Sequence, residues 1–130
     1  MPRYGHIADV FLTNIRQELT ELNTKMAKIT GAAVRKPFSL TFTAAGDQAV
    51  WTPASGKKIR LHFISLETDG DVAVGWRFGT TESVQWCRIT KGPYAANLIG
   101  AYPEGAVNQP LYIRAEGAVN VRGYVLGVEV

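Results

Sequence analysis

The chain offers few groups that could make or break a covalent bond. Its histidines are His6, near the start, and His62, and its one cysteine is Cys87. A Ser-His-Asp or Cys-His arrangement would have to use His62, whose neighbours Arg60 and Ile64 suggest an exposed or half-exposed sheet face. Cys87 lies in an apparent strand, Val84 to Ile89, and reads as a small buried apolar residue rather than a nucleophile. A single cysteine also excludes an intrachain disulfide and a multi-cysteine zinc site. No Gly-x-Ser-x-Gly, His-Glu-x-x-His or Gly-x-x-x-x-Gly-Lys pattern occurs. The run Glu67-Thr68-Asp69-Gly70-Asp71 is the only acidic cluster. Carboxylates suit calcium, but the spacing of a twelve-residue calcium loop and its closing Glu are missing. A hairpin turn favouring Asp-Gly accounts for the same residues. As hydrolytic carboxylates, Glu67 and Asp71 would sit across a tight hairpin rather than in a cleft. The inventory therefore reads as a protein that is not an enzyme, with no catalytic residue, no metal and no cofactor.

Recognition chemistry is better represented. Trp51, Trp76 and Trp86, with Tyr94, Tyr102 and Tyr112, could supply a sugar-stacking surface, since such rings present an apolar face and a polar edge. Trp76 is in register with Val72, Val74 and Phe78 and is assigned to the core. Trp51 and Tyr102, beside Pro53 and Pro103, are expected to be exposed and are the candidate ligand-binding pair, with a host glycan as the ligand.

The other legible surface is a stripe. Ala8, Leu12, Ile15, Leu19, Leu22, Met26 and Ile29 follow one another at steps of four and three, the a/d spacing of a coiled-coil seam. Such a seam needs partner helices, and the chain supplies only one. Leu12, Leu19 and Met26 fall at a, with Ala8, Ile15, Leu22 and Ile29 at d. Leu at a with Ile at d favours trimers or tetramers over dimers, so a homotrimer is expected. The helix should open near Ile7 or Ala8 and stop at Gly31, with Lys25 and Lys28 suiting its last turns.

The remaining sequence must position whatever the surface does. With 130 residues, 46% hydrophobic and 19% charged, the chain has the composition of an ordered globular protein. Its formal charge of +3 comes from scattered Lys and Arg, which argues against nucleic-acid binding. No stretch approaches the roughly 20 apolar residues of a membrane helix. The start has no signal-peptide pattern, so synthesis in the cytoplasm is expected.

From Pro37 onward the apolar period changes to two. Candidate strands are Phe38 to Thr43, Gln48 to Thr52, Lys58 to Glu67, Asp71 to Phe78, Ser83 to Thr90, Tyr94 to Ile99, Pro110 to Ala115 and Val119 to Val130. Ile59, Leu61 and Phe63 alternate with Arg60 and His62, and Asp69-Gly70 reads as a hairpin turn between two strands. The fold class is mainly β: an antiparallel β-sandwich, jelly-roll-like, preceded by an N-terminal α-helix that forms a short coiled coil. Residues 1–31 form the tail and oligomerising helix, 32–37 a linker, and 38–130 the β-sandwich domain.

The stretch from Ser55-Gly56-Lys57-Lys58-Ile59-Arg60-Leu61 to Gly123-Tyr124-Val125-Leu126-Gly127-Val128-Glu129-Val130 resembles a β-module of tailed-bacteriophage virion proteins. The resemblance also rests on the Phe78-Gly79 step and on the Pro110 to Ile113 strand. It implies a trimeric structural module on the virion: a capsid decoration or head-fibre protein made in the host cytoplasm. Its partners would be its own copies and the major capsid protein or another virion protein, held through Pro2 to Ile7 or the rim of the β domain. A tail-fibre or receptor- and glycan-binding module is the alternative expectation.

Overall fold

The computed structural model describes residues 10–22 and 33–130, and the chain divides into one unit within residues 1–32 and another over residues 33–130. Residues 10–22 are helical (α1). At 3.6 residues per turn, Leu12, Ile15, Leu19 and Leu22 share one face. Leu12, Leu19 and Leu22 are each about half exposed, and Phe11, on the flank of the stripe, is more exposed still. Ala8, Met26, Ile29, His6 and both expected helix ends fall outside the described residues.

The second unit contains eight strands: β1 (Val34–Phe42), β2 (Gly46–Trp51), β3 (Ile59–Thr68), β4 (Val74–Phe78), β5 (Gln85–Arg88), β6 (Gly92–Asn97), β7 (Leu111–Ala115) and β8 (Val119–Glu129). They form two four-stranded antiparallel sheets, ordered β1-β8-β3-β6 and β2-β7-β4-β5. The strands pair β1 with β8, β2 with β7, β3 with β6 and β4 with β5. Only the β4–β5 connection stays within one sheet; every other step along the chain crosses to the opposite sheet.

Alternation dictates what lies between the sheets, because successive strand residues point to opposite faces. Leu61, Ile64, Val121 and Val125 from the first sheet meet Val74, Trp76, Leu111 and Ile113 from the second in one apolar cluster. Trp76 and Phe78 meet edge to face within it, with ring centroids 5.7 Å apart.

Three expectations are corrected. First, Phe63 does not continue the inward phase of Ile59 and Leu61. A bulge between Leu61 and Phe63 shifts the register, so that Ile64, Leu66 and Thr68 point inward instead. Phe63 then stacks on Tyr124 of β8 at 5.9 Å, and the guanidinium of Arg35 lies 4.5 Å from the centre of the Tyr124 ring. Second, Asp69-Gly70 does not close a hairpin, because β3 and β4 belong to different sheets. The Asp69 carboxylate instead accepts hydrogen bonds from the backbone N–H of Asn120 at 2.8 Å and from its side-chain amide at 2.7 Å, tying the crossover to the start of β8. Third, the strand begins at Val34, inside the stretch expected as a linker, and Pro37 pairs opposite Tyr124. Because β1 is an edge strand with one hydrogen-bonded neighbour, a proline without an N–H is tolerated there.

Gly123 marks the closest approach in the first sheet. A Cβ at this position would collide with the Ser65 carbonyl oxygen and crowd the Leu66 backbone. Gly123→Ala is therefore expected to destabilise the β unit by about 2–3 kcal/mol in urea titrations, with the m-value unchanged. A loss within about 0.5 kcal/mol would show that β8 can move away from β3 at little cost.

Candidate functional site

The two aromatic residues expected to bind ligand are placed differently. Trp51 is only 3% exposed, at the end of β2, and its indole N–H donates to Glu129 Oε1 at 3.1 Å. Its six-membered ring packs where a side chain on Gly127 would stand. The expectation that Trp51 is exposed is thus corrected: the nearby Pro53 ends its strand, while the ring turns inward to cover a glycine of the facing sheet. Tyr102 is half-buried with φ +42° and meets His62 edge to face at 5.4 Å. Trp51 and Tyr102 do not form a common stacking surface.

His62 lies at the β3 bulge, where the neighbour on one side of β3 changes. Its carbonyl accepts the Leu98 N–H at the end of β6, while the Leu61 N–H donates to Pro103 and Ile59 accepts from Gly105. Ile64, expected on an open face with it, is fully buried. His62 Nε2 is enclosed and has no hydrogen-bond partner among the described residues.

The acidic residues hold the chain together. On the outer face of the second sheet, Asp47 of β2 accepts hydrogen bonds from Arg77 of β4 through both carboxylate oxygens, at 2.9 and 2.7 Å, and from Arg114 of β7 at 3.1 Å. Arg114 also pairs with Glu116 at 3.1 Å. The three central side chains are 12%, 15% and 24% exposed, well shielded for ions on a sheet surface. Burial by itself pushes the Asp47 carboxyl up, but hydrogen bonds from Arg77 and Arg114, with their charges, outweigh it and hold the group below its ordinary 3.8. Asp69 is also lowered, by the hydrogen bonds from Asn120. Asp71 caps the Lys91 N–H at 2.8 Å. These bonds explain the acidic run around Gly70 as structural. Among the described residues no group of three His, Cys, Asp or Glu is placed to hold a metal ion.

Cys87 faces inward on β5. Burial pushes its thiol up to about 12, against a smaller opposing effect of a hydrogen bond with Tyr94, so the thiolate is scarce at neutral pH.

Two open surfaces adjoin β5. Strand β5 is an edge strand with Trp86 half exposed, and Ile89 beyond it is more so. Beside it lies a cleft of about 450 Å³ between β4–β5 and the segment 98–104, with Trp76, Phe78, Leu98 and Pro103 at its floor and Glu82 and Gln85 at its mouth. The sequence signal for this cleft was the alternation that places Trp76 inward; which open edge it would approach depends on the pairing of β4 with β5. Among the described residues no helix is long and apolar enough to cross a membrane.

Neither a protein-family model nor a curated protein matches this chain.

The Asp47 cluster makes a definite prediction. Asp47→Asn leaves two shielded guanidinium groups without their shared anion and is expected to cost about 2–4 kcal/mol in chemical denaturation at pH 7. A carboxyl with a lowered folded pKa stabilises above its unfolded value and loses that contribution as pH falls through the folded value. Wild-type stability should therefore drop from about pH 4 downward, more steeply than that of Asp47→Asn. Parallel slopes for the two proteins would contradict the assignment.

Proposed function

We propose that the chain is a non-enzymatic structural protein of a bacteriophage virion, a homotrimeric capsid decoration or head-fibre protein made in the host cytoplasm and displayed on the particle. The observation that carries the homotrimer in this reading is the helix stripe. Leu12, Ile15, Leu19 and Leu22 present an apolar seam at coiled-coil spacing, and most of it is open to solvent in the single chain. Phe11 widens the seam on one side, which suits packing against more than one neighbouring helix. Covering a half-exposed leucine contributes about 1 kcal/mol, so the described part of the seam supplies only a few kcal/mol per chain. It sets register and valency, and contacts between β units supply the remainder.

The strand order supports the jelly-roll part of the reading. Pairing β1 with β8, β2 with β7, β3 with β6 and β4 with β5 is what results when one long antiparallel ribbon is wrapped into two facing sheets. Eight-stranded jelly rolls of this kind are a recurrent architecture of viral capsid proteins and lectins. The virion assignment itself rests on the resemblance of the stretch from Ser55 to Val130.

Light scattering coupled to size-exclusion chromatography is expected to give three times the chain mass of 14.2 kDa. Ile15→Asp with Leu22→Asp should lower that mass while leaving the far-UV β signal intact. A wild-type monomer at high micromolar concentration would overturn the trimer. An unchanged oligomer in the double variant would move the contact from the helix to the β unit.

A further inference from the structure

We propose that Asp69–Gly70 is a site of isoaspartate formation that the folded chain holds closed through Asn120. It is the only Asp-Gly step in the sequence, and no Asn-Gly occurs. Glycine lacks a Cβ, so its backbone nitrogen reaches the preceding carboxyl carbon with the least hindrance. In the reaction the Gly70 nitrogen bonds to Cγ of a neutral Asp69 carboxyl. The carboxyl C–O bond breaks, and its hydroxyl leaves with the Gly70 proton as water. The five-membered imide so formed then adds water at either carbonyl. Opening at the main-chain carbonyl returns a proton to the Gly70 nitrogen. The peptide then runs through Cβ, and the α-carboxylate is free.

The site is open to the reaction by position and closed to it by bonding. Asp69 is exposed, and with Lys91 and Asn120 it lines a cavity of about 420 Å³, so water for opening the imide is at hand. Its carboxyl, however, is committed. Oδ1 accepts the Asn120 backbone N–H at 2.8 Å and Oδ2 the Asn120 side-chain amide at 2.7 Å. The Asp69 N–H in turn donates to the Asn120 carbonyl at 3.3 Å. Two bonds to one residue of β8 fix the carboxyl plane. Attack makes Cγ tetrahedral, so the oxygens must leave that plane and the paired bonds are lost. The same bonds, the Asn120 backbone N–H first and its side-chain amide second, hold the carboxyl below its ordinary 3.8. The neutral form that can release water is therefore scarcer than in the unfolded chain.

Gly70 itself is not demanded by the local geometry. Its φ lies outside the left-handed region, and a Cβ there would meet only Val119 Cγ2 at 3.7 Å, an ordinary contact. Alanine at 70 thus keeps the crossover while hindering the approach of its nitrogen. Isomerisation would add one methylene to the main chain between β3 and β4. It would also remove the carboxyl that ties this crossover to the start of β8, the strand on which the first sheet closes. The site is separate from the helix seam, and the inference does not depend on the oligomeric state.

The test is incubation of the full chain at neutral pH in ¹⁸O-labelled water, folded and in urea. Peptide mapping then quantifies isoaspartate at position 69, and each hydrolysis of the imide leaves an ¹⁸O label. The folded wild type should convert about tenfold or more slowly than the unfolded chain, because reaction sacrifices a hydrogen bond to a charged group. Asn120 is exposed, so Asn120→Ala should keep the fold. Having lost the side-chain bond to Oδ2, it should convert about tenfold faster than wild type. Adding Gly70→Ala to that variant should suppress the conversion. Ile113→Val loosens the core away from this crossover and should convert like wild type. The proposal is overturned if the folded wild type converts as fast as the unfolded chain, or if Asn120→Ala keeps the wild-type rate. It is equally overturned if Ile113→Val accelerates as much as Asn120→Ala, or if conversion persists with alanine at 70.

Discussion

Strand β8 carries glycine at 123 and 127, and the first sheet depends on both. β8 lies between β1 and β3, and at Gly123 the β3 backbone comes closer than any side chain would allow. At Gly127 the Arg60 carbonyl oxygen of β3 and the Trp51 ring together take the space where a Cβ would stand, with ring atoms 3.0 and 3.2 Å away. That ring belongs to the second sheet, and its N–H returns to Glu129 on β8. The same Glu129 oxygen accepts the Ala54 N–H, while Val130 and Lys58 exchange backbone hydrogen bonds at 2.9 Å in both directions. The facing sheets are therefore keyed together at the end of the final strand. Because β1 finds its only sheet neighbour in β8, the fold is dominated by pairings between residues far apart in sequence, and closure of the first sheet waits for the last segment of chain.

Much of this was legible because strand alternation is a local signal. Each of the eight strands overlaps a stretch where the period of two appears, and Val74, Trp76 and Phe78 are buried as their register requires. What the sequence hid depends on partners distant along the chain. Asp-Gly after a strand favours a hairpin locally, but the carboxylate of Asp69 found Asn120, and the turn became a crossover. The bulge at Leu61 and Phe63 leaves no mark in the apolar pattern, since Phe63 and Ile64 are both apolar and either could point inward. Trp51 looked exposed because Pro53 follows it, whereas its partners are Gly127 and Glu129. The cleft beside β5 was invisible for the same reason: Trp76, Glu82 and Leu98 converge only once β4 lies beside β5 and the chain returns after β6.

The ionic interactions follow a division that composition alone does not reveal. On the outer face of the second sheet, Asp47 joins three strands through two arginines, and the mutual shielding of these groups makes them more than an exposed ion pair. On the first sheet the pair of Arg122 and Glu67 is 74% and 53% exposed and carries little weight in stability. That sheet relies instead on packing, with Tyr124 held between Phe63 and Arg35 on its outer face. Both sheets thus cover their outward sides partly with their own side chains, while edge strand β5 stays open.

The helix and the β unit meet different physical requirements, and chain length links them. A helix of this size is marginal alone in water, so its apolar face is stable only when covered. Ten residues separate Leu22 from Ala33, a span of at most about 40 Å at full stretch. If the helices associate as proposed, the attached β units are confined to a volume in which their effective concentration reaches about the millimolar range. Contacts too weak to hold β units together in free solution would then suffice, and each would in turn strengthen the proposed seam. Within this reading, a short seam is enough: it has only to bring the copies together, and the glycine-keyed sheets supply rigid bodies whose surfaces can be presented several at a time.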